Sequence, residues 1–156
     1  MKYEVSIDIQ AEPQRVWDIM TDVERWPEWT QSVTHVERLS PPPFKVGSRA
    51  RVKQPRLKDT VWTVTALEPL VGFTWEARQR GLATIGSHRI EQHAPGTTTV
   101  TLAVQQRGLL APLVWPLSVR LMRRYLELER HGLKARSEAV ESDDAHQPRM
   151  VAAAGQ

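Results

Sequence analysis

His88 is the residue of this chain whose surroundings invite chemistry. It lies in a β-type run over residues 83–93, where successive side chains point to opposite faces. Ile90 marks the inward face of that run and places Thr84, Gly86, His88 and Gln92 beside it. An imidazole on an apolar wall can act as general acid or base near neutral pH, or hydrogen-bond a carbonyl or hydroxyl of a bound molecule. It can equally be a core histidine satisfied by a neighbouring hydroxyl. Tyr125, at helical spacing on an apolar stripe, offers a second polar tip, or else a packed aromatic with its hydroxyl at the rim.

Other chemistries lack their residues. Gly81, Gly86 and Gly96 are too scattered to cradle a phosphate, and neither a nucleophile elbow nor a compact carboxylate pair appears. His88 and His93 differ by an odd step and so face opposite ways on a regular strand, while His35, His131 and His146 add no ligand spacing. No metal site and no cofactor are expected. The absence of cysteine excludes disulfides and fits a reducing, cytoplasmic setting. Arg49, Arg51 and Lys53 share the outward face of one run, with Arg56 and Lys58 just beyond. Such a stripe is a solvated face that discourages edge-to-edge pairing. It lacks the interleaved aromatics of a nucleic-acid platform, so no nucleic-acid partner is expected, whereas transient contact with an anionic membrane surface suits it.

The elements that must position these residues follow from periodicity. The first nine residues alternate polar and apolar, which reads as a strand rather than a signal peptide. Pro13 suits the first turn of a short helix carrying Val16, Trp17, Ile19, Met20 and Val23, and Trp26-Pro27-Glu28-Trp29 breaks and restarts it. A strand is expected over residues 31–39, ended by Pro41-Pro42-Pro43. Further strands over 49–54, 60–67, 73–77, 83–93 and 97–106 are separated by turn residues too short for parallel crossovers, so they form an antiparallel meander. Trp62, Val64 and Ala66, then Phe73, Trp75 and Ala77, then Val100, Leu102 and Val104, are the inward faces.

A long helix over about residues 112–138 closes the chain, with Val114, Leu117, Leu121, Tyr125 and Leu128 on its buried face and arginines between them. Residues 139–156 read as a disordered tail. The most apolar stretch, Leu109-Leu110-Ala111-Pro112-Leu113-Val114-Trp115-Pro116, reads as a gate or membrane-touching lip, or as the helix's first turn packed under the sheet. No window reaches the roughly 18 to 20 apolar residues of a spanning helix. The 156-residue length, 40% hydrophobic and 25% charged residues and net charge of +3 are those of one globular domain, expected over residues 1–138.

Ala11-Glu12-Pro13-Gln14-Arg15-Val16-Trp17-Asp18-Ile19-Met20, followed by Asp22 and Trp26-Pro27-Glu28-Trp29, resembles the opening signature of the polyketide cyclase/dehydrase and lipid-transport family, within the START and Bet v 1-like superfamily. Gly96-Thr97-Thr98-Thr99-Val100-Thr101 resembles that family's turn into its last strand, and Leu133-Lys134 with Glu138 its terminal helix. The resemblance implies an α+β helix-grip fold: a seven-stranded curved antiparallel sheet around a long C-terminal helix, with two short helices after strand 1. It also implies a hydrophobic cavity but carries over no catalytic residue. The expected function is binding or transport of a small hydrophobic ligand, be it lipid, polyketide-like or aromatic. Its expected walls are Trp62, Val64, Phe73, Trp75, His88, Ile90, Leu102, Val104, Leu117, Leu121 and Tyr125. The alternatives are a cyclase or dehydratase using His88 as general acid/base, and a protein-interaction partner within a larger assembly. Oligomeric state is not readable.

Overall fold

Runs rich in Val, Ile and Thr between glycine and proline turns make strands, and the computed structural model, which describes residues 1–139, pairs seven of them. Strand β1 (Lys2–Ile9) is followed by helix α1 (Pro13–Thr21) and a 3-10 helix (Val23–Glu28). Strands β2 (His35–Arg38), β3 (Arg49–Lys53), β4 (Thr60–Glu68), β5 (Gly72–Gln79), β6 (Leu82–Ala94) and β7 (Thr97–Arg107) then lead to helix α2 (Ala111–Glu138). The sheet order is β1-β7-β6-β5-β4-β3-β2, every pair antiparallel. The first and last strands are therefore neighbours, and the two short helices carry the chain from one sheet edge to the other. This is the seven-stranded sheet gripping a terminal helix that the family resemblance implies. The expected tail lies, from residue 140 on, outside the described residues.

Two strands differ from expectation for local reasons. The strand expected over residues 31–39 shortens to His35–Arg38. Thr30 and Ser32 hydroxyls bond each other at 2.8 Å, and the Ser32 N–H donates to Thr30 Oγ1, a local alternative to the ladder. In β4 the register shifts between Val64 and Ala66. That bulge adds a residue to the alternation, so Ala66 faces water instead of the core and Leu67 packs inward.

The core lies between the sheet's inner face and the helices, with Ile9, Val16, Met20, Val23, Val100, Leu102 and Leu133 fully buried. Backbone-directed cations fasten α2 in place. Lys134 Nζ donates to the Asp8 carbonyl at 2.7 Å, and Arg130 to that of Ser6 at 3.0 Å. Arg15 on α1 donates to the Ser137 and Ala139 carbonyls at 2.6 and 2.7 Å, placing positive charge at the negative end of the helix dipole. At Gly132 a Cβ would stand 1.9 Å from the Trp29 carbonyl oxygen, so only glycine lets α2 approach this closely. Gly132→Ala is expected to lower stability by about 2 kcal/mol or more, measurable by chemical denaturation.

Glu138 ends α2 by accepting the Gln10 N–H at 2.7 Å and Lys134 Nζ at 2.6 Å. The Gln10 N–H, and then Lys134, hold its carboxyl below the usual carboxylate range. A depressed folded-state value stabilises the fold above the ordinary carboxylate range, and that contribution is lost as pH falls through the lowered value. Glu138→Gln is therefore expected to flatten the acid limb of the melting temperature against pH, by a small amount because the group is largely solvated.

Candidate functional site

The β5, β6 and β7 registers align Phe73, His88 and Leu102 in one row across the inner face. His88 is 5% exposed and walled by aromatic rings. Its imidazole stacks on Phe73 with centroids 4.3 Å apart, meets Trp26 at 5.4 Å and lies edge-on to Trp75 at 5.9 Å. Opposite the row, α2 brings down Glu129, whose Oε1 lies 2.8 Å from His88 Nε2. The other ring nitrogen, Nδ1, is buried with no hydrogen-bond partner.

A carboxylate has only acceptors, so the pair is satisfied with Nε2–H donating to Glu129. That leaves Nδ1 to accept, or, once the ring is protonated, to donate. A carboxylate holding one imidazole nitrogen sets the ring's orientation and tautomer, the arrangement that prepares the other nitrogen for proton transfer or ligand binding. His88 and Glu129 share a hollow of about 60 Å³ with Trp62, Trp75, Tyr125 and Leu126. Val52, Gln54, Gly86, Ala103 and Val104 complete its lining. A Cβ at Gly86 would meet Trp75 Nε1 at 2.6 Å, so the glycine admits the Trp75 indole against the strand.

Of the residues named as walls, Trp62, Trp75, His88, Val104 and Tyr125 are brought together around this hollow. Val64, Phe73, Ile90 and Leu102 are buried in the core rather than on the hollow's wall. Leu121 is half-buried and also off the wall. Leu117 is a correction: it is 82% exposed on the solvent side of α2. The buried row of α2 runs through Ala111, Trp115, Met122, Leu126, Glu129 and Leu133. One residue is about 100° of helix rotation, so a stripe read from leucine spacing drifts off a row that contains a charged residue. Glu129 was missed for that reason; its signal was a carboxylate four residues past Tyr125, in step with the inward face.

Tyr125 is buried, and its hydroxyl donates to the Pro55 carbonyl, bridging α2 to the β3–β4 loop beside the hollow. Burial pushes its phenol above the usual tyrosine range, against the opposing pull of Arg56 and Arg124. The stripe of Arg49, Arg51 and Lys53 does face outward, and Arg51 pairs with Glu37 across to β2. His93 is solvent-exposed, 3.6 Å from Glu91 and away from His88's face. Among the described residues no helix is long and apolar enough to cross a membrane.

A curved antiparallel sheet holding a long terminal helix over an aromatic-lined hollow defines a START/Bet v 1-like helix-grip domain. The model of the family described as polyketide cyclase / dehydrase and lipid transport matches residues 1–138, and the chain belongs to that family. Among solved structures it is similar to an aromatase/cyclase from a Streptomyces species, at 15% identity and TM-score 0.72 over 88% of this chain and 93% of that one. A ginseng (Panax ginseng) major latex-like protein matches at 13% identity and TM-score 0.72 over 89% and 98%. A START superfamily protein from Mycobacterium smegmatis matches at 16% identity and TM-score 0.70 over 88% and 97%. At these identities the likeness is one of fold. No curated protein matches the sequence.

A buried pair is expensive to break and inexpensive to replace. Glu129→Leu alone is expected to cost about 3 kcal/mol or more, whereas Glu129→Leu combined with His88→Phe costs much less than the sum of the single changes. Denaturant unfolding of the two singles and the double measures this coupling.

Proposed function

We propose that this protein binds a small, flat, mostly apolar molecule bearing one hydrogen-bonding group, held between the sheet and α2 with that group on His88 Nδ1. The observation that carries the reading is the unpartnered buried nitrogen beside an aromatic-walled hollow. A buried polar atom without a partner costs free energy that a ligand's hydroxyl or carbonyl can recover. Aromatic walls supply the rest through buried apolar area, at roughly 25 cal/mol per Å². The family's description and the aromatase/cyclase among its fold relatives support the same class of ligand.

The hollow of about 60 Å³ is well below the roughly 300 Å³ at which drug-sized pockets begin. It has room for a few waters. Admission of a ring compound therefore requires the wall to part, and the Tyr125–Pro55 contact is the bridge to be broken beside it. Naphthol is expected to quench tryptophan fluorescence on binding and to be preferred over naphthalene by about tenfold, the worth of one hydrogen bond. His88→Leu keeps naphthalene binding and loses the preference. Tyr125→Phe speeds entry for both. If neither compound binds the native protein, the reading is wrong.

The His88–Glu129 pair also favours a second reading, a dehydrating cyclase-type enzyme. Nδ1 takes a proton from the carbon next to a substrate carbonyl and returns it to a departing β-hydroxyl, so one water leaves and a double bond forms. Holding the substrate in its reactive conformation contributes part of the rate. With a cyclic β-hydroxy ketone as probe, enone absorbance is expected to appear with the native protein and to vanish in His88→Gln and Glu129→Gln, although both still bind naphthol. Enone formation unchanged by His88→Gln rules this reading out.

A further inference from the structure

Among the described residues, the three most exposed large apolar side chains lie at the junction between β7 and α2 and in the first turns of α2. Leu109 is 93% exposed, Leu117 82% and Leu113 68%, with Leu110 beside them at 43%. The Leu110 N–H donates to the Gly81 carbonyl at 3.0 Å, so the β5–β6 turn carrying Arg80 lies against this junction. Arg78 and Arg107 flank an open groove of about 410 Å³ on the sheet's outer face, where β5, β6 and β7 meet this junction. Along α2 the step from Leu113 and Leu117 continues to Arg120 and Arg124 on one face. Arg80, Arg107, Arg120 and Arg124 are exposed and meet no carboxylate among the described residues; Arg78 meets Glu76 at 3.0 Å.

Protruding leucines ringed by uncompensated guanidiniums match a lipid–water interface, where apolar tips enter the acyl boundary and cations stay at headgroup level. We propose that this end of the molecule docks on an anionic phospholipid bilayer, with Leu109, Leu113 and Leu117 inserted and Arg80, Arg107 and Arg120 against the headgroups. Charge complementarity selects the occupant. A second copy placed isologously on this face would set arginines against their own counterparts. With no membrane-crossing helix among the described residues, the association is peripheral. It stands independently of what the hollow holds.

The test is sedimentation of the full chain with vesicles of phosphatidylcholine alone and of phosphatidylcholine mixed with phosphatidylglycerol. The native protein is expected to pellet with the mixed vesicles, to stay in solution with phosphatidylcholine, and to be released by salt. Leu113→Ser with Leu117→Ser is expected to weaken partitioning by about tenfold or more, and Arg80→Gln or Arg120→Gln by about fivefold each. These side chains are exposed, so the melting temperature is expected to stay unchanged and to separate lost docking from lost folding. The proposal is overturned if the native chain ignores the anionic vesicles, or if the leucine variant pellets as well as the native chain. It is equally overturned if that variant turns a dimer into a monomer in light scattering while vesicle binding is absent throughout.

Discussion

A carboxylate on the buried side of a helix has to be met by a donor, and Glu129 is met by His88. Taking the charge out of water costs several kcal/mol unless it is paired, so α2 is confined to rotations and heights that keep the 2.8 Å contact. The rest of the helix follows. With Glu129 over the β6 row, Tyr125 reaches the Pro55 carbonyl, Gly132 lies against Trp29 and Leu133 enters the core. Cations from the same helix then bond to β1 carbonyls, and Arg15 holds its last turn. A polar contact in an apolar interior thus sets the register between the two layers of the fold.

The interior around this contact is nearly filled by aromatic rings. Phe73 and Trp75 crowd the imidazole from the sheet and Trp26 from the 3-10 helix, Trp62 packs on Trp75, and Leu126 lines the same hollow from α2. Rings packed edge-on and tilted fill space that aliphatic side chains would leave open. What remains is a hollow of about 60 Å³ beside an imidazole that has one unsatisfied nitrogen. Anything larger than a few waters enters such a space only when the helix or the β3–β4 loop gives way.

Charge and apolar surface are divided along the molecule. The β2–β3 edge carries cations partly balanced by acids, as between Arg51 and Glu37. At the β7–α2 junction Arg80, Arg107 and Arg120 meet no carboxylate among the described residues and lie beside leucines that the sheet does not cover. The first turns of α2 are the least buried part of the helix, so its apolar residues there contribute little to the core.

Periodicity in the amino-acid sequence determined the element order, the antiparallel meander, the inward row of Phe73, Trp75 and Ala77, and the position of His88 on it, because strand alternation depends only on neighbours along the chain. The opening and closing motifs were enough to identify the family. Tertiary structure alone decided the partner of His88, since a contact between residues 88 and 129 depends on how a helix rotates over a sheet. It also moved the buried face of α2 away from Leu117, turned Ala66 outward through a bulge, and shrank the hollow to the space that interlocking rings leave. Those outcomes come from packing and desolvation summed over residues far apart in the chain, a sum that local pattern does not contain.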